Sequence, residues 1–170
     1  MSDKITIALD AMGGDDAPHI VVAGANIARR RHPDVRFLLC GDAEDITARV
    51  ARQRGLDEFV EVVHAPDIVG PEDKPSKIVR GGQETSMWRS IKTVKDGRAD
   101  AVVSAGNTGA LLAIAMLVLK RLEGIDRPAI ASFFPTLRGE TVMLDLGANL
   151  RCTERNLVEY AIMGEVFART

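Results

Sequence analysis

Three short stretches hold most of the residues that could do chemistry: "DAMGGDDAP" at 10–18, "SAGNTGA" at 104–110 and "LDLGAN" at 144–149. The first offers Asp10, Gly13, Gly14 and Asp15, the second Ser104, Gly106, Asn107, Thr108 and Gly109, and the third Asp145, Gly147 and Asn149. Glycine lets a ligand come close to the main chain, and the polar side chains beside it supply donors and acceptors. "SAGNTGA" lies between the apolar runs "ADAVV" and "LLAIAMLVL", so it reads as a strand end leading into a helix. The first amides of a helix have no partner in the helix, and its dipole places roughly half a positive charge there. Such a loop suits phosphate or another small oxyanion. The competing reading is that Asn107 or Thr108 merely caps the helix and the glycines merely make the turn. On the anion reading, a bulky side chain at Gly109 fills the space the anion needs.

Other chemistries find less support. Neither Gly-Lys-Ser/Thr nor G-x-G-x-x-G is present, so no nucleotide fingerprint is read. Asp10, Asp15 and Asp16 could hold Mg²⁺, but acids just before Pro18 more simply cap the following helix, and no metal site is expected. Asn149 can donate to a carbonyl or phosphate oxygen, or simply hold a turn. His19, His32 and His64 are scattered, with no Ser–His–Asp or Cys–His pattern. Catalysis would then rest on positioning and oxyanion stabilisation, with Asn107 and Asn149 as candidate catalytic donors.

These loops need a scaffold to hold them. Short apolar runs at 4–12, 35–41, 59–66 and 99–105 read as strands. Helical segments at 18–32, 42–55, 85–97 and 108–123 alternate with them, and residues 67–84 read as a long loop. Two more strands are expected at 129–135 and 141–147, then a helix from about 153 to 170. Alternation of this kind implies a mostly parallel sheet covered on both faces, with ligands outside the carboxyl ends of its strands. Residues 1–170 are expected to form a single α/β domain.

Composition narrows the class. The net charge of −2 and the 4% of aromatic residues give no footprint for nucleic acid. Cys40 and Cys152 make no disulfide framework, and neither has a second ligand at metal spacing. "MSDKITIALD" lacks the apolar core of a signal peptide, and the apolar run 110–119 is short for a membrane span, so a cytoplasmic location is expected.

Together, "LDAMGGDDAP", "KPS" at 74–76, "ADAVVSAGNTGALLA" at 99–113, "GIDRPAIA" at 124–131 and "LDLGAN" before "NLVEYAIMG" resemble the PlsX-type phosphate acyltransferases. The resemblance runs over essentially the whole chain and implies the N-terminal half of a longer enzyme. It implies a three-layer α/β/α sandwich like that of the phosphotransacetylases and the isocitrate and isopropylmalate dehydrogenases, working as a homodimer. The implied reaction moves a fatty acyl group from acyl-[acyl-carrier-protein] to inorganic phosphate, for phospholipid synthesis, with no cofactor. Acyl-CoA as donor, in the manner of a phosphotransacetylase, and a non-catalytic scaffold are the alternatives. Lys74, Lys77, Arg80, Arg89 and Lys92 are the implied contacts for the acidic carrier protein. Contact with the inner membrane face or with a downstream acyltransferase is also implied. Two positions depart from the family pattern: "GGQETSM" follows Arg80 where a basic cluster and Ser-Ser-Met are usual, and Arg151 precedes Cys152 where an acid is usual.

Overall fold

The computed structural model describes residues 5–147, 149 and 151–170. They fall into two compact units, residues 1–119 and 120–170.

The first unit is built on four parallel strands: β1 (Thr6–Asp10), β2 (Arg36–Gly41), β3 (Val60–His64) and β4 (Ala101–Val103), in the order β3-β2-β1-β4. Leu9 of β1 stands opposite Leu39 on one side and Val103 on the other. Successive side chains point to opposite faces, and both faces are covered, which is why the strands read as unbroken apolar runs. On one face Leu9, Phe37 and Leu39 pack with Val22 and Ala25 of α1 (His19–Arg31), and with Ile46 and Val50 of α2 (Ala43–Ala51). On the other, Ala8 and Leu38 meet Val94 of α4 (Ser86–Lys95). Trp88 and Ile91 of α4 then share a core with Ile78 of α3 (Pro75–Gly81) and with Ala110 and Ile114 of α5 (Thr108–Val118). The result is a helix–sheet–helix sandwich.

Helix starts follow local chemistry. The side chains of Asp42, Thr85 and Asn107 accept from Asp45 N, Trp88 N and Ala110 N, capping α2, α4 and α5. At α1 the expectation of an acidic cap fails. Pro18 occupies the N-cap, and no side chain caps the helix. The segment 67–84, read as a loop, contains α3: Pro75 in the first turn forfeits no helical hydrogen bond, and Ile78 anchors the helix in the core. Helix α5 stops at Val118, short of residue 123, and Lys120 turns the chain away at φ 68°.

The second unit holds the two remaining strands, β5 (Ala131–Thr136) and β6 (Gly139–Leu144). They pair antiparallel with each other and add nothing to the parallel sheet. Only Leu137 and Arg138 join them, and a parallel pair needs a crossover of about a dozen residues or more. Helix α6 (Glu154–Arg169) opens on a capping box between Thr153 and Asn156. It lies against the hairpin: the Phe133 and Phe167 rings stack at 5.2 Å, and Gly164 leaves room for Leu144. Among the described residues no helix is long and apolar enough to cross a membrane.

Candidate functional site

The chain runs from β1 outward through β2 to β3 and then returns to place β4 on the other side of β1. The loops leaving β1 and β4 therefore diverge to opposite faces and open a crevice between them, the usual ligand position in such sheets. "DAMGGD" and "SAGNTG" are those two loops.

The Asp10 carboxylate is their keystone. Only 2% exposed, it accepts hydrogen bonds from the Ser86 and Ser104 hydroxyls, each at 2.6 Å. Ser104 Oγ in turn accepts from the Gly106 amide at 3.1 Å. A buried carboxylate must find donors, and these two serines supply them. Ser86 escapes the sequence reading. The one signal for it is that Thr85 and Ser86 together open a helix that needs only one hydroxyl as its cap.

The loops touch glycine to glycine. A Cβ on Gly13 would stand 2.5 Å from Asp10 Oδ2 and 3.0 Å from the Gly106 amide, and one on Gly106 would stand 3.4 Å from Gly13 Cα. Gly14 adopts φ +103°, a conformation side chains disfavour. Above them lies a cavity of about 500 Å³, lined by Met12, Gly14, Asp15, residues 68–71 and residues 105–109. Asp15 and Asp16 are exposed, and among the described residues no three His, Cys, Asp or Glu side chains gather as metal ligands.

At the mouth of α5 the side chains and the main chain divide the work. Asn107 Oδ1 caps the helix, accepting from Ala110 N at 3.0 Å. Its Nδ2 donates to the carbonyls of Gly70, Pro71 and Asp73 at 3.3, 3.0 and 3.1 Å. The Thr108 and Gly109 amides have no acceptor among the described residues, and neither has the Thr108 hydroxyl. At Gly109 a Cβ would meet Pro75 Cγ at 3.1 Å, so the glycine makes room for the α3 proline as well as lining the cavity. Asp73 receives the Gly70 amide at 2.9 Å and the Lys77 ammonium at 3.3 Å. Those donors, the Gly70 amide foremost, hold its carboxyl below the usual range.

The third motif lies in the second unit and forms its own cluster. Asp145, at φ 59°, accepts from Asn149 Nδ2 at 2.8 Å and from the Cys152 thiol at 3.1 Å. Asn149 Nδ2 also reaches the Pro128 carbonyl at 3.1 Å, which commits both its amide hydrogens, and Gly147 makes the turn at φ +86°. These bonds hold the Asp145 carboxyl below its usual value and push the Cys152 thiol up. Tyr160, buried beside Cys152, is pushed up to about 12, mainly by burial.

The five cations expected to meet a carrier protein are not equivalent. Lys74, Lys77 and Arg80 border one open hollow of about 470 Å³ along α3, together with Glu72 and Asp73. Arg89 and Lys92 on α4 lie outside that lining and are engaged by Glu84 at 2.5 Å and Asp96 at 2.7 Å.

The chain has relatives in backbone and in sequence. In backbone, the chain resembles a phosphotransacetylase from Streptococcus pyogenes with a TM-score of 0.67, covering 95% of this chain and 53% of that one at 18% identity. That likeness shows the fold, an α/β sandwich on a mostly parallel sheet. In sequence, the chain is 57% identical over 170 residues to a protein of Rhodospirillum rubrum named phosphate acyltransferase. It is 58% identical over 170 residues to one of Rhodospirillum centenum with the same name. All of this chain is matched, against 49% and 48% of those two proteins, so it spans about half the length of the curated relatives it matches. The family described as "Fatty acid synthesis protein" matches residues 5–170, and the chain belongs to that family.

Proposed function

We propose that these residues form the phosphate-side half of an acyltransferase that moves a fatty acyl group from acyl-[acyl-carrier-protein] to inorganic phosphate. The observation that carries this reading is the pair of unpartnered amides, Thr108 and Gly109, at the mouth of α5 beside a cavity at the sheet's switch point. The name phosphate acyltransferase, borne by relatives at 57% and 58% identity, supplies the acceptor that such amides suit. Phosphate is seated on the amides with the Thr108 hydroxyl beside it. One phosphate oxygen attacks the thioester carbonyl carbon, a carbon–oxygen bond forms, and the carbon–sulfur bond breaks with its electron pair leaving on the carrier's sulfur. Main-chain donors held by the capped start of α5 need not reorganise as charge develops, which is the economical form of oxyanion stabilisation. Lys74, Lys77 and Arg80 face the acidic carrier, and the protein works as a cytoplasmic homodimer that can meet the membrane face.

The test is hydroxylamine trapping of acyl phosphate made by the full-length protein from acyl-carrier-protein and phosphate, with acyl-CoA as a parallel donor. Phosphate-dependent product from the carrier-bound donor, weakened several-fold by Arg80→Glu, supports the reading. Equal use of acyl-CoA, unaffected by Arg80→Glu, moves the assignment to a phosphotransacetylase-like reaction. No product from either donor overturns it.

A further inference from the structure

The segment 68–73 is fixed at both ends by contacts that do not involve Asn107. Before it, Asp67 bridges to Thr85, and Ser86 N donates to Asp67 O at 2.9 Å. After it, Pro75 packs over Gly109. Between these anchors Val69 is buried in the core beside Ile78 and Met87, and the polar stretch 70–73 crosses the crevice. Asp73 closes a small turn on Gly70, and the three carbonyls of Gly70, Pro71 and Asp73 converge on the two hydrogens of Asn107 Nδ2. Ile68, Val69 and Pro71 supply apolar lining to the cavity with Met12, and residues 105–109 line it as well. Ile68 is 51% exposed although nothing about a loop position demands an isoleucine. A cavity of about 500 Å³ is the size of small-molecule sites in general and much larger than one oxyanion requires.

We infer that Asn107 is a positioning residue, a latch that holds segment 68–73 over the glycine loops, and that this segment is the wall against which the acyl donor is fitted. The inference rests on the acyltransferase reading for its ligand, while the latch stands on hydrogen bonds alone. The side chain's two ends do separate jobs. Oδ1 caps α5, and Nδ2 carries the latch. Asn107→Asp keeps a good cap and removes every donor to the three carbonyls, so it separates the latch from the helix.

The experiment compares full-length wild type with Asn107→Asp, Asp73→Ala and Ile68→Ala by steady-state kinetics in both substrates and by amide hydrogen exchange of the 66–80 region. Asn107→Asp is expected to speed exchange in that region about tenfold or more and to raise the KM for the acyl donor about tenfold. The KM for phosphate, kcat and exchange in α5 stay within about threefold. Asp73→Ala, which cuts the Gly70 turn without touching α5, reproduces the pattern more weakly and serves if the first variant does not fold. Ile68→Ala raises the donor KM about three- to tenfold with exchange unchanged. A kcat loss of about a hundredfold in Asn107→Asp with donor KM and exchange unaltered places Asn107 at the reacting oxyanion and overturns the latch. Wild-type exchange in both Asn107→Asp and Asp73→Ala overturns it as well. If the wild type transfers no acyl group, the acyltransferase reading and the acyl wall fall together, and the exchange arm still decides the latch.

Discussion

Gly13→Ala puts the packing of the two glycine loops to the test. The added methyl would stand 2.5 Å from Asp10 Oδ2, 3.0 Å from Asp10 Cγ and 3.0 Å from the Gly106 amide nitrogen. All three are well inside ordinary contact, and none belongs to a flexible side-chain end. The carboxylate is held at 2.6 Å by both Ser86 and Ser104, and the Gly106 amide by Ser104. Gly13 is not in the left-handed region, so the cost is steric and not conformational. If the loops stay in place, overpacking costs about 1–3 kcal/mol. If Asp10 swings away, a serine bond to a buried carboxylate is lost, worth about 1.5–3 kcal/mol. The chain takes the cheaper route, so the expected loss is about 1–3 kcal/mol.

Trp88, the only tryptophan, is 8% exposed and lies in the same unit, so its fluorescence reports unfolding there. With a urea slope of about 1–3 kcal/mol per molar, the midpoint should fall by about 1 M with the slope unchanged. A midpoint within about 0.2 M of wild type, together with normal phosphate dependence, would refute the view that glycine at 13 is required by contact with Asp10 and Gly106.

Gly24 gives the opposite sign. It lies within α1, where a Cβ meets nothing within 4 Å, so Gly24→Ala should stabilise the first unit by about 0.5–1 kcal/mol in the same urea titration. The two thiols should also part company. Alkylation at pH 8 should label exposed Cys152 and spare buried Cys40, and Asp145→Asn should speed the Cys152 reaction, because the carboxylate now favours its protonated form. For Cys40, burial pushes the thiol up to about 11 against an ordinary 9.0. Below pH 9 both folded and unfolded chains keep the proton. Between 9 and 11 only the unfolded chain releases it, so stability should fall there by about 3 kcal/mol, and Cys40→Ser should flatten that slope.

The parallel sheet was legible in the sequence because strands buried on both faces leave continuous apolar runs, and caps such as Asp42 and Thr85 sit where local chemistry demands them. Helix α3 was not. "GPEDKPSKIVRGG" is dense in residues that break helices, and only the burial of Ile78 against α4 and α5 gives its seven residues a reason to coil. The two later strands were legible, but their pairing as a hairpin was not, for another reason. "AIASFFP" and "TVMLDLG" look like any two strands, and the two-residue link that forces them antiparallel is a geometric fact and not a compositional one. At the site, residue types pointed to the two loops, but what each side chain does depends on partners far along the chain. Ser86 reaches Asp10 across 76 positions, and Asn107 reaches Gly70 across 37.

Those long-range partners change what the motif's polar residues are for. Asp10 and Ser104 bind one another, Asn107 caps a helix and grips a strap, and Gly109 admits a proline. On the proposed reading, what remains for a ligand among the described residues is mostly main chain: the Thr108 and Gly109 amides, with one threonine hydroxyl beside them. A site presented by backbone is not erased by truncating a single side chain. It is erased by moving the loop. Loss of activity in Asn107→Ala would therefore not by itself identify a catalytic group, since that change uncaps α5 and frees the strap at once. Asn107→Asp breaks only the second of these links, and so separates a residue that touches the reacting atoms from one that holds their surroundings in place.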